Sequence, residues 1–267
     1  DGTNTSHVKS VVNSFTVDNN LTVSSTSAFD VLARTITVTG ASDINGILNI
    51  NGSGVLDANG AFDATSGSIT MDGTARLQLN STVTSLGTLD DAAGTVEYDQ
   101  AGNQTILSAH TYYDLEIDGS GSKSTDGNTT ANGDVSITAA GTLNSGAGDD
   151  NLTIGGDFTI ASGGVFIGTA GGSVTTEKIT FNGASSAGES CPAIDDANLS
   201  IEVDKSDASG TLTISGNSNF DAVTVLDGTM DIAATTFTAD DAISVQSNGT
   251  LQVGSGTFTA SSSTSIS

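Results

Sequence analysis

Late in the chain one phrase returns at intervals: Gly-Thr-Leu at 210–212, Gly-Thr-Met at 228–230 and Gly-Thr-Leu at 249–251. The same phrase occurs earlier, at 87–89 and 141–143. Glycine adopts backbone angles that other residues avoid, threonine favours an extended backbone, and the apolar residue can turn inward. Each phrase therefore predicts a turn followed by a short strand, and its recurrence predicts a repeat architecture.

Between these phrases apolar and polar residues alternate almost continuously, as at 152–154 and 199–203. Such alternation is typical of strands with one buried face. The late Gly-Thr phrases lie 18 and 21 residues apart, which fits one coil of two or three short strands. The sequence therefore predicts an all-β fold, a parallel β-solenoid (β-helix) of roughly a dozen short coils with no substantial helix, continuous over residues 14–267. The residues expected to face inward include Ile137, Leu152, Ile154, Phe158, Ile160, Ile201, Val203, Leu212 and Ile214.

The chain is strongly acidic, because 31 acidic residues against 6 basic ones give a net charge of −25. No cluster of Lys and Arg exists to displace the counterions of a nucleic acid, and we predict no nucleic-acid partner. No apolar segment approaches the length of a membrane helix, and we predict no membrane insertion. The chain begins at Asp1 without a methionine, as suits a secreted protein whose signal peptide is gone.

Catalytic chemistry finds little support in the sequence. Cys191 has no neighbouring histidine or basic residue to activate a thiolate, and we interpret it as a loop thiol without chemistry. Adjacent acids such as Asp195 and Asp196 point to opposite faces of a strand, and the chain has no Trp to hold a sugar ring. We therefore predict that the protein is not an enzyme, and a carbohydrate-active β-helix enzyme is the third alternative only.

Calcium is the cofactor that the sequence leaves open. The chain is rich in residues whose side-chain oxygens can bind Ca²⁺, but it contains neither an EF-hand loop nor a Gly-Gly-x-Gly-x-Asp tandem. The candidate ligands are Asp149 and Asp150, which follow a Gly-Ala-Gly turn at 146–148. The alternative is a solvated turn, because Asp is common in turns whatever its function.

Two regions depart from the alternation. Residues 1–13 have apolar residues at a spacing that fits either a short capping helix or a strand, and we assign them to an N-terminal cap or subunit-joining segment. Near residues 184–198 the alternation is weak, and we predict a loop projecting from the solenoid wall.

Both ends of the chain carry apolar residues in strand-like surroundings. A solenoid ends in unpaired backbone donors and acceptors, and such edges either carry a cap or recruit another chain. The residues that we predict to take part in assembly are Val8, Val11, Val12 and Phe15 at one end and Phe258 at the other. The expected partner is a second copy of the chain, joined head to tail.

The stretch from 94 to 183 resembles repeats of large secreted bacterial surface proteins. The resemblance lies in Gly-Thr-Val-Glu-Tyr at 94–98, Gly-Asn-Gln-Thr-Ile at 102–106, Tyr-Tyr-Asp-Leu-Glu-Ile at 112–117 and Asn-Gly-Asp-Val-Ser-Ile at 132–137. It implies a β-solenoid of the adhesin-like or cell-envelope structural kind, located at the bacterial cell surface. It covers about a third of the chain well and implies no catalytic residues.

The sequence thus leads to two expectations about function. The first is a non-enzymatic extracellular structural protein, a subunit of a filament, sheath or surface coat assembled by end-to-end or strand-addition contacts. The second is a monomeric cell-surface adhesin stalk or binding module, for which a carbohydrate or another surface ligand is the expected partner. Self-association separates the two, because a structural subunit polymerises alone.

Overall fold

The computed structural model describes residues 7–10, 13–90, 92–145, 150–168, 177–184, 188–233, 236–262 and 264–266. All the regular secondary structure within these ranges is β-strand, and the strands form a parallel solenoid of about 11 turns. The predicted fold class is therefore confirmed. None of the described residues forms a helix with the length and hydrophobicity needed to cross a bilayer.

The strands are short and follow one another closely. In the N-terminal half they are β1 (His7–Ser10), β2 (Phe15–Val17), β3 (Leu21–Val23), β4 (Ser27–Val31), β5 (Thr35–Val38), β6 (Ser42–Ile44), β7 (Ile47–Ile50), β8 (Val55–Ala58), β9 (Phe62–Asp63), β10 (Ser68–Met71), β11 (Arg76–Leu79), β12 (Val83–Ser85), β13 (Thr88–Leu89), β14 (Thr95–Tyr98), β15 (Gln104–Ile106), β16 (Thr111–Tyr112), β17 (Asp114–Ile117) and β18 (Ser122–Thr125).

The C-terminal half continues the series. Its strands are β19 (Thr129–Ala131), β20 (Val135–Ile137), β21 (Thr142–Asn144), β22 (Leu152–Ile154), β23 (Phe158–Ile160), β24 (Val165–Ile167), β25 (Lys178–Phe181), β26 (Glu189–Pro192), β27 (Asp195–Asp196), β28 (Ser200–Asp204), β29 (Thr211–Ser215), β30 (Ser218–Phe220), β31 (Val223–Ile232), β32 (Thr236–Ala239), β33 (Ile243–Val253), β34 (Thr257–Ala260) and β35 (Thr264–Ile266).

Each coil contributes strands to three faces of the solenoid. The first face consists of β1-β4-β7-β10-β13 and then β16-β19-β22-β25-β28-β31-β33-β35. The second face is β2-β5-β8-β11-β14-β17-β20-β23, followed by β26 and β29. The third face has three sheets, β3-β6-β9-β12, β15-β18-β21-β24 and β27-β30-β32-β34. The long strands β31 and β33 run across the first and second faces without a break, since β31 pairs with both β28 and β29.

The sheets are not continuous along the whole solenoid. Among the described strands no ladder joins β12 to β15 or β13 to β16, so that the third face is interrupted between one pair of coils and the first face between the next pair. Only the second face is continuous across both places, by the pairing of β11, β14 and β17. Further along, no described ladder joins β23 to β26 or β24 to β27, so that the pairing of β22 with β25 is the single described ladder between those two coils.

The core is a set of columns that run along the axis of the solenoid. On the second face, parallel pairing places one apolar residue of each coil above the corresponding residue of the coil before it. One column consists of Ile36, Leu56, Leu77, Val96, Leu115, Val135 and Phe158. All of these side chains are buried. The residue that follows each of them on its strand points to the outside and is polar. A chain with 36% hydrophobic residues thus buries them in a thin core.

The inward residues that the alternation predicts are buried, with the exception of Ile160. Ile160 is half-buried and ends β23, the last strand of its sheet. Because no described strand pairs with β23 on its far side, the next coil covers Ile160 incompletely.

The glycine of the repeated phrase has two different physical roles. Gly228 has a φ of 83°, in the left-handed region that side chains disfavour, as the phrase predicts. Gly249, one coil later, has no positive φ, but a Cβ there would overlap the carbonyl oxygen of Val225 in the preceding coil. Glycine is therefore required at 249 because consecutive coils stack too closely there for a side chain. The repeated phrase alone does not predict this role.

The described residues of the segment near 184–198 belong to the solenoid wall from 189 onward, so that the predicted projecting loop is wrong there. Strands β26 and β27 lie here and pair in parallel with β29 and β30. Cys191 is fully buried at an inward position opposite Ile214. It therefore lies on a strand of the core, and the prediction that it lies in a loop is wrong. Burial raises the pKa of the Cys191 thiol well above its usual range.

The N-terminal segment contains a strand at the residues that the structure describes. His7–Ser10 forms β1 and pairs in parallel with β4, with Val8 opposite Ala28. The strand alternative thus holds for 7–10, and no helix is present there. The side chain of Val8, together with Val11 and Val12, lies outside the described residues.

Replacing Ile154 with Asp should lower the free energy of unfolding by more than about 3 kcal/mol, because it places an unpaired charge in the core. Thr153→Asp, one residue away on the outer surface, should change it by less than about 1 kcal/mol. Urea denaturation followed by circular dichroism measures both. Equal losses for the two variants would contradict the inward assignment of Ile154.

Cys191 should resist thiol reagents in the folded protein. The thiol is buried and its raised pKa keeps it protonated, so that neither access nor thiolate is available. Labelling with an aromatic disulfide reagent at pH 8 should be absent without denaturant and complete in concentrated urea. Rapid labelling of the native protein would contradict the inward position of Cys191.

Candidate functional site

The C-terminal end of the described solenoid is an open parallel edge. The second half of β33 pairs with β31 on one side and with no described strand on the other, and β34 pairs only with β32. Inward residues at this edge are incompletely covered, since Leu251 and Phe258 are half-buried and Val253 is 42% exposed. The edge therefore offers unpaired backbone groups together with apolar side chains.

Phe258 lies at the end of an aromatic column on the third face. Its ring is stacked on that of Phe237, with centroids 5.7 Å apart and an interplanar angle of 8°. Phe237 in turn contacts Phe220 at 5.7 Å between centroids. Phe237 and Phe220 are fully buried, whereas Phe258 has no described ring above it.

At the N-terminal end of the described solenoid, β2 is the corresponding open edge. Phe15 occupies the inward register position above Ile36, yet Phe15 is 45% exposed while Ile36 is fully buried. The difference arises because β2 pairs only with β5 among the described strands, and nothing described covers its other side. Phe15 and Phe258, which we predicted to take part in assembly, thus lie at opposite ends of the solenoid.

The predicted calcium ligands are only partly described. Asp149 lies outside the described residues. Asp150 is half-buried and accepts a hydrogen bond of 3.3 Å from the Thr125 hydroxyl group of the preceding coil. Its carboxylate thus links two coils, whether or not a cation binds nearby.

A second group of carboxylates was not found by sequence reasoning. Oxygen atoms of Glu97, Asp99 and Asp118 lie within 4.8 Å of one another on the outside of the second face. Carboxylate oxygens are ligands that Ca²⁺ accepts, although Ca²⁺ takes six or more oxygens and this group offers three side chains. The signal in the sequence was the spacing of 19 residues between Asp99 and Asp118, which is one coil.

Neighbouring side chains partly neutralise this group. The Arg76 guanidinium contacts the carboxylates of Glu97, at 3.4 Å, and of Glu116. Gln78 donates a hydrogen bond of 2.8 Å to Glu97. Burial, which outweighs these contacts, raises the pKa of Glu97. Burial and the negative charge of Asp118 raise the pKa of Asp99.

The inside of the solenoid is polar in the region where the third and the first faces are interrupted. The buried Lys123 ammonium donates hydrogen bonds of 2.8 Å to the carbonyls of Gln100 and Ser120. The hydroxyl groups of Tyr98 and Tyr112 lie 2.9 Å apart, and burial raises the pKa of Tyr98 to about 12. The Lys123 ammonium and the two tyrosine hydroxyl groups hydrogen-bond to backbone groups or to each other. Their role is therefore structural.

Asp99→Asn should raise the melting temperature at pH 7. The raised pKa of Asp99 means that its charged form is disfavoured in the folded state, so that stability falls as the pH rises through this pKa. The gain should stay below about 1 kcal/mol, because the group is partly solvated.

The pH dependence supplies the control for this prediction. Below the ordinary pKa of Asp, 3.8, the carboxyl is protonated in both states and the difference between Asp99→Asn and the wild type should disappear. The exposed Asp18→Asn should change the melting temperature much less at either pH. A fall in the melting temperature of Asp99→Asn at pH 7 would contradict the electrostatic assignment.

Comparison of the chain with protein-family models, with curated proteins and with solved structures finds no match.

Proposed function

We propose that the chain is a non-enzymatic extracellular structural protein of the bacterial surface, a subunit of a filament, sheath or surface coat. Its copies join end to end, each adding its strands to the open edge of the next. The observation that supports this proposal is the presence of uncovered parallel edges at both ends of the described solenoid.

The two edges carry incompletely covered apolar residues on the same two faces of the solenoid. At the C-terminal edge the uncovered inward residues are Leu251 and Val253 on the second face and Phe258 on the third. At the N-terminal edge Phe15 and Leu21 occupy the same two faces, on β2 and β3. Stacking the first coil of one copy on the last coil of another would continue both columns. Because the two edges are different surfaces, such joining does not close on itself and gives a fibre.

The net charge opposes this association. Copies carrying a charge of −25 repel each other, and the repulsion is screened over about 10 Å at 0.1 M salt. Assembly should therefore be favoured by added salt, in contrast to assembly through ion pairs, which salt weakens.

The full chain at high concentration should form polymers when salt is added, visible by electron microscopy and light scattering. Phe15→Asp should abolish them, because it places a charge on the uncovered N-terminal column. Deletion of residues 1–13 should have the same effect, and both variants should keep the β-sheet circular dichroism signal.

The matched control is Thr16→Asp. Thr16 neighbours Phe15 on β2 but lies at an outward register position, opposite Thr37. This variant should polymerise as the wild type does. A wild-type chain that stays monomeric at high concentration and high salt would overturn the filament proposal.

The alternative function is a monomeric cell-surface adhesin stalk or binding module, and one surface feature favours it. At the gap between β12 and β15 lies a groove of about 260 Å³, lined by Thr82, Gln100, Asn103, Gln104 and Ser124 among others. Amide and hydroxyl groups of this kind bind the hydroxyl groups of carbohydrates. Persistent monomers that bind a surface polysaccharide would support this alternative.

A further inference from the structure

Lys205 and Glu189 form a contact unlike the other ion pairs in the described part of the chain. The Lys205 ammonium nitrogen contacts Oε2 of Glu189, and the exposed fractions of the two side chains are 0% and 3%. Glu189 begins β26, and Lys205 directly follows β28 in the next coil. The pair thus lies inside the solenoid and connects two consecutive coils.

The surroundings of this pair are closely packed. The Phe181 ring lies over the Lys205 nitrogen, 5.8 Å from ring centroid to Nζ. A Cβ at Gly228 would lie 2.7 Å from Cγ of Lys205, and a Cβ at Gly183 would overlap Oε1 of Glu189. Two glycines therefore leave the room that these side chains need.

An ionised pair is expensive in such a place. Charges removed from water lose several kcal/mol each in solvation, which their attraction restores only when the remaining hydrogen bonds are satisfied. Here Oε1 of Glu189 is buried and has no hydrogen-bond partner among the described residues. Burial lowers the pKa of Lys205 to about 8, which makes the neutral amine accessible.

We propose that Lys205 and Glu189 condense to form an amide cross-link between the two coils. One proton first moves from the Lys205 ammonium to the Glu189 carboxylate, which gives a neutral amine and a carboxylic acid. The nitrogen lone pair then attacks Cδ of Glu189, and the C=O electron pair moves to oxygen. The nitrogen passes a proton to the departing hydroxyl, the C=O bond re-forms, and one water leaves.

The structure provides what this reaction requires. The nucleophile and the carboxyl group are held in contact inside the protein, so that no encounter step is needed. Asp157 holds the residue that follows Glu189: its Oδ1 accepts hydrogen bonds of 2.6 Å from the Ser190 backbone and 3.0 Å from the Ser190 hydroxyl. Its negative charge opposes the effect of burial on the pKa of Lys205, but burial is the larger effect. The step consumes no oxidant or cofactor, and burial of the site favours the uncharged amide over two charges.

The chain contains a matched control pair. Lys178 and Glu202 also come from neighbouring coils, with 2.6 Å between Nζ and Oε1, but their side chains are 34% and 16% exposed. Solvent stabilises the charges of this pair, and it should remain an ordinary ion pair. Burial is therefore the variable that separates the two pairs.

Intact-mass spectrometry of the folded, full-length protein, after denaturation, tests the proposal. The wild type should weigh one water less than its sequence, and peptide fragmentation should identify a branched peptide that joins residues 189 and 205. Lys205→Met and Glu189→Ala should each have the full sequence mass. Lys178→Met should keep the loss of one water.

Fragmentation is needed because another reaction also removes water. Asp-Gly pairs such as Asp118-Gly119 can form cyclic imides with the same mass change, but these are opened by hydroxylamine, whereas an amide cross-link survives. A wild-type protein of full sequence mass, or a water loss that maps elsewhere than residues 189 and 205, would overturn the proposal. The wild-type measurement decides this even if the buried variants fail to fold.

Discussion

Parallel backbone pairing between consecutive coils is the constraint on which the rest of the structure depends. No coil can bury its apolar residues alone, because each coil is only one strand thick along the axis. Register then determines the core, since Leu77 is buried by Leu56 before it and Val96 after it. The same register brings Asp99 next to Asp118 and Arg76 next to Glu97, although these residues are distant in sequence.

The fold could be predicted from the sequence because its determinants are local and repeated. Alternation such as Leu152-Thr153-Ile154 and the Gly-Thr phrases report which face is buried and where a strand begins. The prediction of a loop was wrong at 189–196 because β26 has Glu189 and Cys191 at inward positions. A glutamate in the core is tolerable only through Lys205, whose proximity alternation cannot reveal.

The candidate site was less predictable for a similar reason. Strand-like apolar residues near both ends of the chain pointed to the two end coils, and Phe15 and Phe258 lie on strands at the open edges. The acidic group at Glu97, Asp99 and Asp118 combines residues of two coils, and finding it requires the coil length at that point of the chain. Coil lengths vary, so that a period measured late in the chain does not give the register earlier.

The single described ladder between the coil of β22–β24 and the coil of β25–β27 has a mechanical consequence. In a stack where stability is carried by the contacts between neighbours, the level with the fewest backbone ladders is the plane along which the stack separates first. Here the ladder between β22 and β25 is the single one among the described strands, helped by the hydrogen bonds from Ser190 to Asp157, where other pairs of complete coils have two or three ladders. Under tension along its axis the molecule would behave as two rods in series, joined at a yielding seam.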